Sequence, residues 1–158
     1  MGGAPELETV HATALAFADM GILIRGPSGS GKSDLALRCL AQPQVATPHA
    51  VPLTMQLISD DRVALNITDG FIELSCPPQL AGKLEVRGLG IVAANWVRAA
   101  RLALVVDLVP QSQPIERMPE TDLAGILGVA VPRMELHPFE ASAPLKLLLA
   151  MTTLRPVA

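Results

Sequence analysis

The run GPSGSGKS, Gly26 to Ser33, constrains the fold more than any other stretch of this chain. It matches G-x-x-x-x-G-K-[ST], a loop whose glycines let successive backbone N–H groups converge on phosphate oxygens. Such a loop works between a strand and the start of a helix, where the helix adds the positive end of its dipole. GILIR precedes it as a short apolar strand, and the spacing predicts a helix over 33–41. Gly26, Pro27, Ser28, Gly29, Ser30 and Gly31 then form the cradle for a nucleotide such as ATP. Lys32 supplies a point charge to the β and γ oxygens, and the Ser33 hydroxyl is a ligand for Mg²⁺. The bland alternative is a ligand-free Gly/Ser turn, and the strand before and helix after argue against it. A cradle alone leaves open whether the phosphate is hydrolysed, transferred or sensed.

The rest of the chain reads mainly as strands. TVHATALAF alternates as one strand, and QLISDDRVALNI, TDG and FIELSC read as a strand and a hairpin turned at Asp69-Gly70. AQPQVATPHAVP, with three prolines, is an irregular connection, and GKLEVRGLGIVAANWV reads as a glycine-shaped loop. RLALVVDLV is a buried strand, PQSQPIERMPE a surface loop, ILGVAVPRMEL one further short strand, and SAPLKLLLAMTTL a helix. The expectation is an α/β fold: a single P-loop domain over 1–158 with a mixed sheet, a strand–loop–helix unit near the N-terminus and a C-terminal helix.

Composition narrows the partners. Aromatic residues make up only 3 %, with one Trp and no Tyr, so aliphatic side chains must build the core. That content is poor for stacking single-stranded nucleic acid, and a net charge of −3 without a basic run does not suit a phosphate backbone. No apolar run reaches membrane-spanning length, and MGGAPELE has no basic start of a secretory signal. Cys39 and Cys76 are too few for a disulfide framework or a zinc site. A reduced, cytoplasmic setting without membrane or nucleic-acid partners is predicted. Cys39 reads as a small buried hydrophobe, and His49 and His137, both beside proline, as loop residues.

A nucleotide site also needs a second acidic element for its metal. LISDD places Asp60 and Asp61 at the end of an apolar strand, as a Walker B-like element requires, although an isolated pair would suit a solvated turn equally well. In KLEVRGLGI, Glu85 and Arg87 share one face of an extended segment while Val86 points to the other. A carboxylate and a guanidinium so placed can serve a metal and a phosphate together, or can form a plain surface ion pair.

Taken in order, HATALAF, GPSGSGKSDLAL, LISDDRV and LEVRGLGI resemble the catalytic domain of bacterial HPr kinase/phosphorylase, over roughly 10–131. The resemblance implies Mg²⁺–ATP-dependent phosphorylation of a serine on HPr or an HPr-like phosphocarrier, with phosphate-dependent removal as the reverse reaction. It also implies a homo-oligomer. It gives His11 the place of the family's histidine ahead of the loop, Lys32 that of the loop lysine, and Ser33 and Glu85 those of the magnesium ligands. The base falls on Asp60 or Asp61, and Arg87 stands in the signature that supports both reactions. Arg117, in IERMPE, matches the catalytic arginine of a following loop, or else forms an exposed pair with Glu116.

Three departures stand out. The motifs begin within the first dozen residues, as in a short form without the N-terminal regulatory domain. The connection from Ser33 to Asp60 is longer than the family's. Where the family has a Pro-Gly-Arg-Asn-type stretch tied to dephosphorylation, this chain reads PFEASAPL, with no arginine, which touches the reverse reaction and hexamer assembly. Two other classes compete: a P-loop NTPase or small-molecule kinase, and a nucleotide-sensing module without catalysis.

Overall fold

The computed structural model describes residues 7–41 and 55–154. Strands β1 (Leu7–His11), β2 (Thr13–Phe17) and β3 (Met20–Arg25) lead into the glycine loop and helix α1 (Lys32–Ala41). After the connection come β4 (Met55–Ser59), β5 (Arg62–Thr68) and β6 (Phe71–Ser75), then β7 (Lys83–Val86) and β8 (Gly90–Ala93). Strands β9 (Ala99–Leu108), β10 (Asp122–Ile126) and β11 (Val129–Leu136) and helix α2 (Ala143–Leu154) complete the chain. The main sheet runs β1-β5-β6-β9-β3-β2-β4, with β11 also on β9 and β10 on β11. It is mixed, as expected: β3–β9 and β9–β11 are parallel and the other pairs antiparallel.

The two ends of that strand order are joined along the chain. Ala12 alone separates β1 from β2, and Asp60-Asp61 alone separates β4 from β5. The sheet therefore curls, and the single strand expected for TVHATALAF bends at Ala12 so that its halves pair differently: β1 with β5, β2 with β3 and β4. The period-2 alternation fills both faces. Leu15, Phe17, Ile22 and Ile24 join Leu35, Cys39, Leu147 and Met151 of the helices in one core. Ala14, Ala16, Leu23, Val63, Leu65 and Leu74 build a second core on the opposite face.

Several expectations change. The segment expected as an irregular loop, GKLEVRGLGIVAANWV, is a β-hairpin, β7–β8, paired from Lys83↔Ala93 to Val86↔Gly90. Its strands are short and its apolar Leu89 and Ile91 are exposed, which hides the alternation. ILGVAVPRMEL is not one strand: Ile126 ends β10, and the chain turns at Leu127-Gly128 into β11. His137 lies just past β11, outside the strand as expected, but is buried there, its Nδ1 3.4 Å from the Val109 carbonyl. AQPQVATPHAVP and His49 lie outside the described residues, apart from Ala41 at the end of α1. Cys39 is fully buried as expected, and burial pushes its thiol up to about 12.

Candidate functional site

Helix α1 begins where the loop requires. The Gly31 carbonyl accepts the first helical bond from Leu35 N at 2.9 Å, so the N–H groups of the first turn have no partner within the helix. Gly31 has φ +101°, which calls for glycine, and the Phe139 ring packs on its open face, its Cζ 2.8 Å from where a Cβ would lie. Lys32 is buried, and its Nζ donates to the carbonyls of Gly26 (2.6 Å) and Pro27 (3.0 Å). Burial, the largest influence, pulls the Lys32 ammonium below its ordinary value, and Asp61 and Asp60 partly offset this.

Asp60 ties three elements together. Its Oδ1 accepts from Ser33 Oγ of α1 at 2.8 Å and from Thr13 Oγ1 of β2 at 3.0 Å. Its Oδ2 accepts from the backbone N of Glu85 in β7 at 3.3 Å. The residue is 5 % exposed, and its three hydrogen-bond donors are two hydroxyls and an amide, with no cation among them.

Asp61, one residue on, is exposed and faces the other way. Its Oδ1 lies 3.1 Å from His11 Nδ1. The Arg62 N–H reaches back to the Asp60 carbonyl at 2.9 Å, and Asp61 between them has φ +71°. That is a γ-turn in its rarer, strained form. The Ala12 N–H donates to the Asp61 carbonyl at 3.2 Å, so the corner of β4–β5 is stitched to the break in β1–β2. The extra residues at a sheet corner re-aim side chains as a bulge does.

These groups open on one cleft of about 790 Å³. His11, Thr13 and Asp61 line one wall; Ser28, Gly29, Gly31, Lys32 and Ser33 form the loop side; Glu85, Val86, Arg87 and Gly88 form the hairpin side. Leu84 and Val86 pack toward the core while Glu85 faces outward, and Arg87 follows in the turn after β7. Asp60 lies beneath this lining, reached through Ser33 and Thr13. Arg117 is exposed in the segment between β9 and β10 and is not among the residues lining the cleft. Reading the sequence alone passed over Thr13, two residues beyond His11 on the same face of the extended chain, and Phe139, which no local pattern marks.

The donor set suits a hard cation. Ser33 Oγ of α1, the Asp60 carboxylate at the β4–β5 corner and the Glu85 carboxylate of β7 offer oxygen atoms of the kind such a cation takes. Among the described residues no group of three or more His, Cys, Asp or Glu forms a ready-made metal cage. Mg²⁺ commonly takes one or two carboxylates and completes its shell with water and substrate phosphate, so the residues fit it.

The family model of the HPr Serine kinase C-terminal domain matches residues 4–151. An HPr kinase/phosphorylase of Bordetella petrii is 36 % identical over 140 residues, covering 82 % of this chain and 42 % of that protein. One from Cupriavidus metallidurans is 33 % identical over 139 residues, with 82 % and 40 % covered. The chain thus spans about two fifths of the length of these relatives. The structure of the HPr(Ser) kinase/phosphatase from Coxiella burnetii superposes with a TM-score of 0.76 at 25 % identity, covering 92 % of this chain and 95 % of that one.

Proposed function

This chain belongs to the family of the HPr serine kinase C-terminal domain, and on that footing we propose that it transfers the γ-phosphoryl of Mg²⁺–ATP to a serine of HPr or an HPr-like phosphocarrier. The observation that supports this most is Asp60, whose carboxylate joins the loop hydroxyl of Ser33 to the Glu85 backbone of the signature hairpin.

In this proposal the loop from Gly26 through Ser33 holds the phosphates, chiefly through the N–H groups of Gly29, Gly31, Lys32 and Ser33. Lys32 leaves the Gly26 and Pro27 carbonyls for the phosphate oxygens, a move its desolvated ammonium favours. Ser33, Asp60 and Glu85 would hold Mg²⁺, which when bound neutralises charge on the phosphate oxygens. Asp61 is the base: it is exposed on the cleft, unlike Asp60, and takes the proton from the serine hydroxyl. His11 orients that carboxylate from 3.1 Å. Arg87, on the hairpin side, balances charge on the group in transit. In the reverse sense Asp61 would return the proton to the serine oxygen as inorganic phosphate attacks, giving pyrophosphate. No step here is assigned to Arg117.

The test is transfer of labelled γ-phosphate from ATP to an HPr-type protein, with loss of transfer in Lys32→Ala. ATP turnover without any acceptor would instead favour a hydrolase. Nucleotide binding unaffected by loss of both Asp60 and Asp61, with no transfer by the unaltered chain, would favour a sensor.

A further inference from the structure

Phe139 is one of three phenylalanines in the chain, yet it is 68 % exposed at the edge of the glycine loop. A lone exposed apolar side chain is ordinary; what sets this one apart is that its backbone is held on both sides. The Arg38 guanidinium binds the carbonyls on either side of it, Pro138 O through a short hydrogen bond and Glu140 O at 3.3 Å. Arg38 Nε is itself held by Asp34 at 3.0 Å, and Glu140 by Lys146 at 2.6 Å. The backbone that carries the ring is therefore tied to the first two turns of α1 and, through Glu140, to α2. Among the described residues lining the cleft, Phe139 is the one with a phenyl or indole ring.

Position decides what such a ring can do. The acid–base pair Asp61–His11 and the Glu85–Arg87 hairpin form the polar side of the cleft. Phe139 packs instead on Gly31, at the end of the loop where α1 begins, and lines the cleft together with Asp34 and Leu37 of α1; a nucleotide whose phosphates lie in the loop would extend its sugar and base along this side. A nucleotide has one charged end and one flat, weakly polar end, and a fixed aromatic face is the complement of the second.

We propose that Phe139 is the stacking platform for the nucleotide base, a role that rests on the phosphate-cradle reading of the loop. The two carbonyls beside the ring are turned to Arg38, and the proposal assigns no group to the edge of the base. Recognition by stacking alone accepts any base, since each has a π face. ATP and GTP should therefore bind about equally.

Isothermal titration of this chain with ATP, GTP and inorganic tripolyphosphate, each with Mg²⁺, tests this in the unaltered chain and in Phe139→Ala and Phe139→Trp. Phe139→Ala should weaken ATP and GTP about tenfold each and leave tripolyphosphate within about twofold, and Phe139→Trp should bind as the unaltered chain does. Equal weakening of all three ligands would reduce the ring to a prop for the loop and overturn the proposal. So would no change in any. If the unaltered chain binds none of the three, the phosphate cradle itself fails, and this inference with it. Because the ring is exposed, Phe139→Ala should melt close to the unaltered chain, and Phe139→Trp provides a second reading if it does not.

Discussion

Strand β5 is entered through Asp60-Asp61 and left through Asp69-Gly70, and the two connections behave in opposite ways. Asp69 and Gly70, with φ +51° and +83°, are exposed and link the register pair Thr68↔Phe71. Residues and conformation agree there: this is the type I′ turn that Asp-Gly favours and that matches strand twist. At the other end Asp61 takes φ +71° without being glycine, while its neighbour Asp60 is buried among donors from three elements. A backbone conformation unfavourable to its residue persists only where the surroundings enforce it. One connection is chosen for the fold; the other is tolerated by the fold because of what it places in the cleft.

That contrast can be broken at the corner first. Asp61→Asn and Asp61→Gly should each slow phosphoryl transfer about 10²- to 10⁴-fold, the usual yield of a positioned base. Asp61→Gly should also stabilise the chain by about 1 kcal/mol in urea unfolding, because glycine relieves the positive φ and the exposed His11 pair contributes little. A loss of stability with transfer intact would reverse the assignment of this corner.

Asp60→Asn should lower Mg²⁺-dependent transfer about 10²- to 10³-fold. Asp60→Ala should in addition cost about 1–3 kcal/mol, since the hydroxyls of Thr13 and Ser33 and the Glu85 N–H lose their acceptor. At the other turn, Gly70→Ala should cost about 1–2 kcal/mol in unfolding free energy and leave transfer unchanged, because nothing near it belongs to the cleft.

The smallest effect concerns a third aspartate. Asp107 lies at the end of β9 between two guanidiniums, Arg25 Nε at 2.7 Å and Arg133 Nε at 2.6 Å. Burial works against its charge, yet the hydrogen bonds and charges of Arg25 and Arg133 outweigh burial and hold the carboxyl below its ordinary value. A depressed carboxylate stabilises the fold fully above its unfolded value, about 4, and loses that contribution as pH falls toward the folded value. Urea midpoints between about pH 5 and pH 3 should therefore fall more steeply in the unaltered chain than in Asp107→Asn. Equal slopes would mean the clamp carries no folding energy. Asp60 differs from Asp107 in having hydroxyls and an amide as partners instead of cations, which leaves it able to face a metal.

Much of the site was legible because its pieces are local. GPSGSGKS specifies a backbone path, LISDD closes an apolar strand, and Asp69-Gly70 announces a turn within four residues. What escaped reading depends on distant partners or on residues acting against preference. The β10–β11 turn was hidden because Leu127, at φ +47°, is not a turn-forming residue. The β7–β8 hairpin was hidden by exposed Leu89 and Ile91. Thr13 matters only because Asp60, 47 positions away, lies across from it.

Local chemistry written into the chain settled that a glycine cradle would open α1 and that carboxylates would follow an apolar strand, since turn preference and period-2 burial act over a few residues. Which aspartate is buried and which faces the cleft, and that Phe139 stands over Gly31, were decided only by the curl of the sheet. Closing β1–β2 against β4–β5 forces a corner at Asp60-Asp61, and that corner turns two adjacent carboxylates into two environments.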